Sequence, residues 1–458
     1  MHLLPLSPST SVDENSPQLS KKPTFYVDSN NGLATPPQDA RMKQDYFSEG
    51  QLKGLGLTQQ QQPRSVVAVI GVGYVGFELA TGFSKAYRVI AYDVDQRRLA
   101  HIKPLTANMN IQCTNNPQDI ANASHFLISV PTRLHHDNSV DTQHLESAIA
   151  LVAQHACPGS TVIIESSVAV GMTRQLIKDV MIAKGLKAGM SPERVDPGRV
   201  SPSFETIPKI ISGLDDIMPG SLASIHELYE EIFDVLVPVS SPEVAEMTKL
   251  YENCQRMVCI AHANEMADAC HSIGINALEV SAAAATKPFG YQPYAPGLGV
   301  GGHCIPINPY YLLTNSAFPL LQAATEKMAD RPAKMGDRAM RKFLEHHKSR
   351  ASRGRTRVLV VGAGFKRGQS VLSNSPGITL MQHLLSEWEA YVEFADPLVS
   401  AEALSFIPKL DEKTSWNKED LERQFDIIIV AVDQVGLDMS VLEGLDVMVE
   451  NFVTSKFC

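Results

Sequence analysis

The chain has 458 residues, of which 44% are hydrophobic and 20% charged, and this composition suits a folded protein with packed cores. At ~100–200 residues per domain, the length predicts about two to four domains. A net charge of −10 argues against a dedicated nucleic-acid binder, and no apolar run approaches the ~20 residues that span a bilayer.

Residues 1–62 differ from the rest, because they are rich in Ser, Pro, Asn and Gln and end in the glutamine run 59–62. Such a segment buries too little apolar surface to offset its ordering entropy. We expect a disordered extension; the alternative is a docking helix around residues 46–57.

A first α/β unit is expected over residues 63–240. The segment SVVAVIGVGYVGFELATGF combines a β-branched run, a glycine-rich turn and a helical pattern, and RVIAYDVD, FLISV and TVIIES are further strand candidates. Strands that alternate with helices predict a parallel sheet covered on both faces.

The glycine-rich turn carries the spacing GxGxxG at Gly71, Gly73 and Gly76. These glycines permit a tight turn, close approach of a pyrophosphate and close packing of helix on strand. Asp93 ends the next strand candidate, where a carboxylate binds the ribose 2′-hydroxyl and repels a 2′-phosphate. NAD is therefore expected rather than NADP; the alternative is a tight turn without a ligand.

The middle of the chain, residues 241–345, shows a long helical pattern that begins with PEVAEMTKLYENCQRM. A basic stretch, residues 346–357, is expected to be a linker. Residues 358–458 form a second α/β unit, with strand candidates RVLVVGAGF, AYVEFADP and DIIIVAVD. The predicted fold is α/β, with two Rossmann-like doubly wound domains joined by a long central helix in a helical domain.

The seven cysteines are odd in number, irregularly spaced and without a CxxC pair. They indicate reduced thiols in a cytoplasmic protein, and no His, Cys or Asp spacing predicts a metal site. Cys304 lies in a segment dense in Gly and Pro, where a thiolate could act as a nucleophile. The alternative is an inert buried cysteine in a turn.

Three further polar residues are candidates for chemistry. Lys249 and Asn253 are four residues apart on the predicted helix and leave one face, which could supply a charge and an oxyanion donor. Glu193 follows a proline in a loop and could be an acid or base. The alternatives are an exposed polar stripe and a turn carboxylate.

From about Ser65 to its end, the chain resembles the UDP-glucose/GDP-mannose dehydrogenase family. The resemblance rests on several motifs in the same order: GVGYVG, VPT, ESS, SPERVDPG, AEMTKLYEN, NEMAD, GVGGHCIP and GFK. The segments SPER, TKPFG and GGHCIP are similar to those of the branch that acts on UDP-N-acetylhexosamines.

The resemblance implies a homodimer or higher homo-oligomer that oxidises C6 of a UDP-sugar to the acid with two NAD. Cys304 would form the thioester, Lys249 and Asn253 would stabilise the oxyanion, and Glu193 and Asn308 would manage the water. The cofactor would contact Gly71, Gly73, Tyr74, Val75, Gly76, Asp93, Thr132, Glu165 and Ser166. The sugar nucleotide would contact Glu193, Arg194, Lys249, Asn253, Lys287, Tyr294, Gly301 and Lys366, with Lys287 a candidate for reaching a neighbouring subunit.

The sequence also departs from the family. Asn308 stands where the family has Asp, and an amide cannot accept a proton near neutral pH. In the segment 367–376, Ser373 and Asn374 replace an Arg-Glu pair, and Arg133 replaces the proline of VPTP. Two main hypotheses remain open: an active NAD-dependent UDP-sugar 6-dehydrogenase, or a diverged homologue that binds nucleotide sugar or NAD with little turnover. An enzyme that stops at the aldehyde or holds the thioester is a third.

Overall fold

The computed structural model describes residues 65–195, 201–346 and 354–453. The expected extension over residues 1–62 and most of the expected linker, residues 347–353, lie outside the described residues.

The first part of the chain forms an eight-stranded sheet and a small hairpin. The strands are β1 (Val66–Ile70), β2 (Arg88–Tyr92), β3 (Ile111–Thr114), β4 (His125–Ile128), β5 (Arg133–Leu134), β6 (Val140–Asp141), β7 (Thr161–Ile164), β8 (Lys187–Met190), β9 (Lys209–Gly213) and β10 (Leu236–Pro238). The sheet order is β10-β9-β8-β7-β4-β1-β2-β3, and β5 pairs with β6 in the separate antiparallel hairpin. From β3 to β8 all neighbours are parallel, and β9 then joins β8 antiparallel.

Helices cover both faces of this sheet. They are α1 (Tyr74–Phe83), α2 (Gln96–Ile102), α3 (Gln143–His155), α4 (Met172–Lys184) and α5 (Ser221–Tyr229). One apolar cluster packs α3 and α4 on one face, and a second packs α1 and α5 on the other. The arrangement is the doubly wound fold that the alternating pattern predicted.

The central part is helical. It comprises α6 (Pro242–Ser272), α7 (Ala277–Ala284), α8 (Asn308–Leu313) and α9 (Pro319–His346). The long helix ends at Ser272 because Gly274 takes a left-handed conformation, with φ +74°, and Asn276 caps α7 by accepting from the Leu278 amide.

The last part forms a four-stranded parallel sheet in the order β12-β11-β13-β14. Its elements are β11 (Arg357–Val361), α10 (Pro376–Glu387), β12 (Tyr391–Ala395), α11 (Glu412–Ser415), α12 (Lys418–Gln424), β13 (Ile427–Val430) and β14 (Met448–Asn451). Phe343 of α9 packs in the same core as Leu380 and Leu384 of α10, so the central helices continue into this unit. The predicted fold class, two Rossmann-like units and a helical middle, is confirmed.

Among the described residues, none of the helices combines the length and the apolar composition that a bilayer span requires. The same residues contain no group of three or more His, Cys, Asp or Glu arranged to hold a metal ion.

Candidate active site

The turn between β1 and α1 has the shape that its glycines predict. The amide of Gly71 donates to the Tyr92 carbonyl at 2.9 Å, which fixes the turn to β2. A Cβ on Gly76 would lie 1.9 Å from the Gly71 carbonyl oxygen, so α1 packs against the turn too closely for a side chain. A Cβ on Gly73 would meet nothing within 4 Å, and this open side leaves room for a ligand.

Asp93 braces the same turn. Its carboxylate accepts from the Val72 amide at 2.8 Å and from the Asp95 amide at 2.9 Å. The turn and the acid therefore form one unit at the N-terminus of α1, where Tyr74 and Val75 begin the helix and its amides face an incoming anion. These residues fit a dinucleotide.

Arg98 was missed by the sequence analysis and belongs to this site. Its guanidinium donates to the carbonyls of Val72 at 2.7 Å and Gly73 at 3.0 Å, and it stacks over the Phe77 ring. A cation held on the turn adds to the field of the helix end.

The glycine turn after β11 differs in its contacts. A Cβ on Gly364 would lie 2.3 Å from the Gln369 carbonyl oxygen, because the chain itself covers this turn. Asp396, at the end of β12, is fully buried and accepts from the amides of Ala363 and Gly364. Of the two glycine turns, the first is thus the one with an open side for a pyrophosphate.

Cys304 lies on the turn that leads into α8 and is partly exposed. Its carbonyl accepts from the Asn308 amide at 2.9 Å, so the two residues share one turn. The Asn308 side chain is 1% exposed and accepts from the Asn253 amide group at 2.5 Å. This contact joins the cysteine turn to α6.

Lys249 lies one helical turn before Asn253 on α6, and both are buried. Its ammonium group donates to the backbone carbonyl of Glu193. The structure therefore brings Glu193, Lys249 and Asn253 together with Asn308, on the face of α6 that meets the Cys304 turn.

Both carboxylate oxygens of Glu193 accept hydrogen bonds. One carboxylate oxygen accepts from the amides of Arg194 and Val195, and the other accepts from Lys209 at 2.9 Å. Burial by itself would raise the pKa of Glu193, but Lys209 and these donors hold it below its usual value. The carboxylate is therefore ionised and a poor proton acceptor at neutral pH.

Lys209, the first residue of β9, is also missing from the sequence analysis. It is 2% exposed and lies between Glu193 and Glu165, with Glu165 at 2.7 Å. Burial raises the pKa of Glu165, and Tyr229 donates to its other oxygen. Glu165, expected at the cofactor, thus belongs to a buried charge cluster with Glu193.

Ser166 and Thr132 lie where the ends of β4 and β7 meet. Ser166 donates to the Val130 carbonyl at 2.8 Å. Thr132 lies beside Tyr311 of α8, whose buried hydroxyl has no well-formed hydrogen bond among the described residues. Burial raises the pKa of Tyr311 to about 12. Tyr311, with this hydroxyl next to the cysteine turn, is a further residue of the site that the motifs did not indicate.

The side chains of three expected substrate residues make other contacts within the chain. Arg194 is paired with Glu252 and donates to the Pro208 carbonyl. Lys287 is exposed beyond α7 and lies over the Phe289 ring. Tyr294 packs near Cys259 of α6. The structure does not bring Lys287 and Tyr294 to the cysteine turn within one chain.

Gly301 and Lys366 connect the cysteine loop to the second α/β unit. A Cβ on Gly301 would lie 2.8 Å from the Phe365 side chain and 2.9 Å from the Asn374 carbonyl oxygen. Lys366, next to Phe365, is exposed. The cysteine loop therefore packs directly on the segment 365–376.

Two models of the UDP-glucose/GDP-mannose dehydrogenase family match the chain, the NAD binding domain at residues 65–233 and the central domain at residues 243–327. The chain belongs to this family. It is an NAD-dependent nucleotide-sugar dehydrogenase, and the expected cofactor and family are confirmed.

Relatives and solved structures agree with the family. The chain is 32% identical over 361 residues to UDP-N-acetyl-D-glucosamine 6-dehydrogenase from Pseudomonas aeruginosa, covering 73% of this chain and 83% of that protein. It is 31% identical to UDP-N-acetyl-D-mannosamine dehydrogenase from Pyrococcus horikoshii, covering 69% and 80%. These relatives confirm the resemblance to the N-acetylhexosamine branch. A structure of a UDP-D-ManNAc dehydrogenase from Pyrococcus horikoshii superposes with a TM-score of 0.74 at 26% identity, covering 85% of this chain and 96% of that one.

Proposed function

We propose that this dehydrogenase oxidises C6 of a UDP-N-acetylhexosamine to the uronic acid through a thioester on Cys304. The observation that carries the proposal is the contact between Asn253 and Asn308, because it holds the Cys304 turn against the face of α6 that presents Lys249. A partly exposed thiol, a buried cation and a buried amide thus share one site.

The turn at Gly71, Gly73 and Gly76, with Asp93 and Arg98, would hold NAD. NAD, when bound, accepts the hydride that each oxidation releases. The residues of the chain would bind the sugar nucleotide, hold the reacting carbon at Cys304 and exclude water until it is needed.

The alcohol at C6 first loses a hydride and a proton to become an aldehyde. The Cys304 thiolate adds to this aldehyde and forms a thiohemiacetal, and loss of a second hydride and a proton leaves a thioester. Water then attacks the thioester carbon, releases the acid and frees the thiol. Lys249 and Asn253 are the donors for the oxyanion of each tetrahedral stage.

The final hydrolysis is the step that this site supports least. Asn308 cannot accept a proton, and the Glu193 carboxylate is already bound by Lys209 and two amides. We therefore assign Glu193 to positioning Lys249 through its backbone carbonyl, and we expect slow hydrolysis of the thioester.

The test is NADH formation with UDP-N-acetylglucosamine, UDP-N-acetylmannosamine, UDP-galactose and UDP-glucose in parallel. We expect about two NADH per N-acetylhexosamine, with formation of acid abolished in Cys304→Ser. Cys157→Ser is the matched control, because Cys157 is exposed and lies between α3 and β7, in a different part of the chain from Cys304. Equal turnover in both variants would refute the cysteine mechanism.

The alternative is a diverged homologue that binds nucleotide sugar and NAD with little turnover, and the observation that favours it is the amide at position 308. Binding of NADH and UDP without NADH formation from any of the four sugars would support this alternative.

A homodimer is a further part of the proposal. Helix α7 buries none of its residues within one chain, and Leu278 and Val280 are exposed next to an apolar groove against α6. Tyr294 lines this groove. If a second copy covers α7, Lys287 and Tyr294 are placed to act across the interface. Light scattering of the purified protein measures the mass directly.

A further inference from the structure

A cleft of about 640 Å³ opens beside the cysteine turn. Its walls come from the hairpin β5–β6, from α6, α8 and α9, and from the segment that leads into α10. His303 and Pro306, which flank Cys304 along the chain, form part of its lining. The cleft is therefore continuous with the proposed site of chemistry.

The charge of this cleft is opposite to that of the chain. Its lining includes one guanidinium and three imidazoles, those of Arg133, His135, His136 and His303. No Asp or Glu is among the described residues that line it, although the chain has a net charge of −10. Asp141 lies opposite Arg133 in the backbone register of the hairpin, and it is not among the residues that line the cleft.

Arg133 is the residue that carries this charge at neutral pH. Burial lowers the pKa of His303, and the nearby Arg133 charge lowers it further. The His303 imidazole is therefore neutral and can only donate or accept a hydrogen bond, whereas a guanidinium stays charged at any relevant pH.

Ser373 and Asn374 also line the cleft, and neither brings a charge. The Ser373 carbonyl accepts from the Gly302 amide, and the Asn374 side chain donates to the Gly302 carbonyl, both at 2.9 Å. Both residues brace the cysteine loop. The two departures from the family pattern, an Arg gained at position 133 and an Arg lost at position 373, thus both line one cleft.

We propose that Arg133 binds a phosphate group in this cleft from the hairpin side, in place of the guanidinium that position 373 lacks. The inference rests on the proposed function, because NAD and a UDP-sugar each bring a diphosphate. A guanidinium binds phosphate through two parallel hydrogen bonds, and the absence of acids from the lining leaves that charge for the ligand.

The experiment measures equilibrium binding, so it does not depend on turnover. The dissociation constants of NADH and UDP are measured by fluorescence and by calorimetry for wild-type protein, Arg133→Gln and the double variant Arg133→Gln with Ser373→Arg. Arg88→Gln is the matched control, because it removes an exposed guanidinium at the start of β2, far from the glycine turn.

We expect Arg133→Gln to weaken one of the two ligands by about 10- to 100-fold, the loss typical of a charge-assisted hydrogen bond. The ligand affected identifies whether the phosphate belongs to the dinucleotide or to the sugar nucleotide. Ser373→Arg should restore most of the affinity, and Arg88→Gln should change neither constant.

Unchanged constants in Arg133→Gln, with wild-type protein that binds both ligands, would overturn this inference alone. A loss that Ser373→Arg does not reverse would overturn the idea that a guanidinium at position 133 replaces one at position 373. Wild-type protein that binds neither NADH nor UDP would refute the proposed function, and this inference with it.

Discussion

At the scale of single residues, position 308 decides how the proposed reaction ends. Asp at this position would keep the hydrogen bond from Asn253 and would add a proton acceptor four residues from Cys304. We expect Asn308→Asp to accelerate thioester hydrolysis by about 10²–10⁴-fold, the usual contribution of an acid/base group. Single-turnover release of the acid measures this step.

Asn276→Asp is the control for that variant. Asn276 caps α7, where Asp serves equally well, so the same exchange of amide for acid is made away from the cysteine. Slower or unchanged release of the acid in Asn308→Asp would show that hydrolysis has another base.

The buried lysine at position 209 is a second residue with a predictable effect. Lys209→Met would leave Glu165 and Glu193 buried together without a cation, and we expect a loss of about 3–5 kcal/mol in the free energy of unfolding. The double variant Glu165→Gln with Lys209→Met should recover part of this loss, because it removes one uncompensated acid. Urea unfolding of wild-type protein, Lys209→Met, Glu165→Gln and the double variant measures both effects. Additive losses would mean that the charges do not interact.

The structure brings Glu193, Lys249 and Asn253, which the motifs singled out, together near the cysteine turn, but the role of Glu193 could not be inferred from the motifs. Its partner Lys209 is 16 residues further along, at the start of a strand with no motif. Such a partner is fixed by the antiparallel pairing of β8 and β9, which brings the two residues together only after folding.

At the scale of elements, two glycines of the turn between β1 and α1 should respond differently to substitution, one through ligand binding and the other through stability. Gly73→Ala should fold normally, because φ at Gly73 is −60° and its Cβ would meet nothing within 4 Å, yet the methyl group would occupy the space left for a pyrophosphate. Gly76→Ala should instead destabilise the turn, since its Cβ would lie 1.9 Å from a carbonyl oxygen. Melting temperature and NADH affinity are measured for both.

We expect a normal melting temperature with weakened NADH binding for Gly73→Ala, and a lowered melting temperature for Gly76→Ala. Normal NADH binding in Gly73→Ala would mean that the dinucleotide approaches elsewhere.

The strands around the first glycine turn were predicted from sequence because each is a short apolar run next to a glycine or an acid. Strands β9 and β10 were not, since β9 begins with the buried Lys209 and β10 has only three residues, one of them proline. A buried ion and an edge strand both break the apolar pattern on which such predictions depend. The hairpin β5–β6 was also missed, because strands of two residues are too short to show an alternation of apolar and polar side chains.

At the scale of the whole molecule, the response to acid follows from groups buried in the first sheet. His125 begins β4 and lies within hydrogen-bonding distance of Ser224 on α5, so it joins the sheet to a helix. Burial, and to a smaller extent the Lys187 charge, lower the pKa of His125 to about 4, although the hydrogen bond with Ser224 opposes them. Protonation of His125 therefore costs more in the folded chain than in the unfolded one.

The sign of the effect follows from this difference. An unfolded chain takes up the His125 proton near pH 6.5, whereas the folded chain resists it until about pH 4. Stability should fall as the pH drops from 6.5 toward 4, by up to about 3 kcal/mol at 1.36 kcal/mol per pKa unit. Glu193 has a lowered pKa, so its contribution is lost only as the pH falls below 4.5.

These two pH ranges make the last prediction testable. His125→Asn should flatten the plot of unfolding free energy between pH 6.5 and 4 and leave the loss below pH 4.5 that Glu193 contributes. His271→Asn, at the exposed end of α6, is the control and should leave the whole plot unchanged. Urea unfolding at each pH gives the free energies. A plot for His125→Asn as steep as that of the control would mean that the acid response arises outside β4, because no other change was made to that strand.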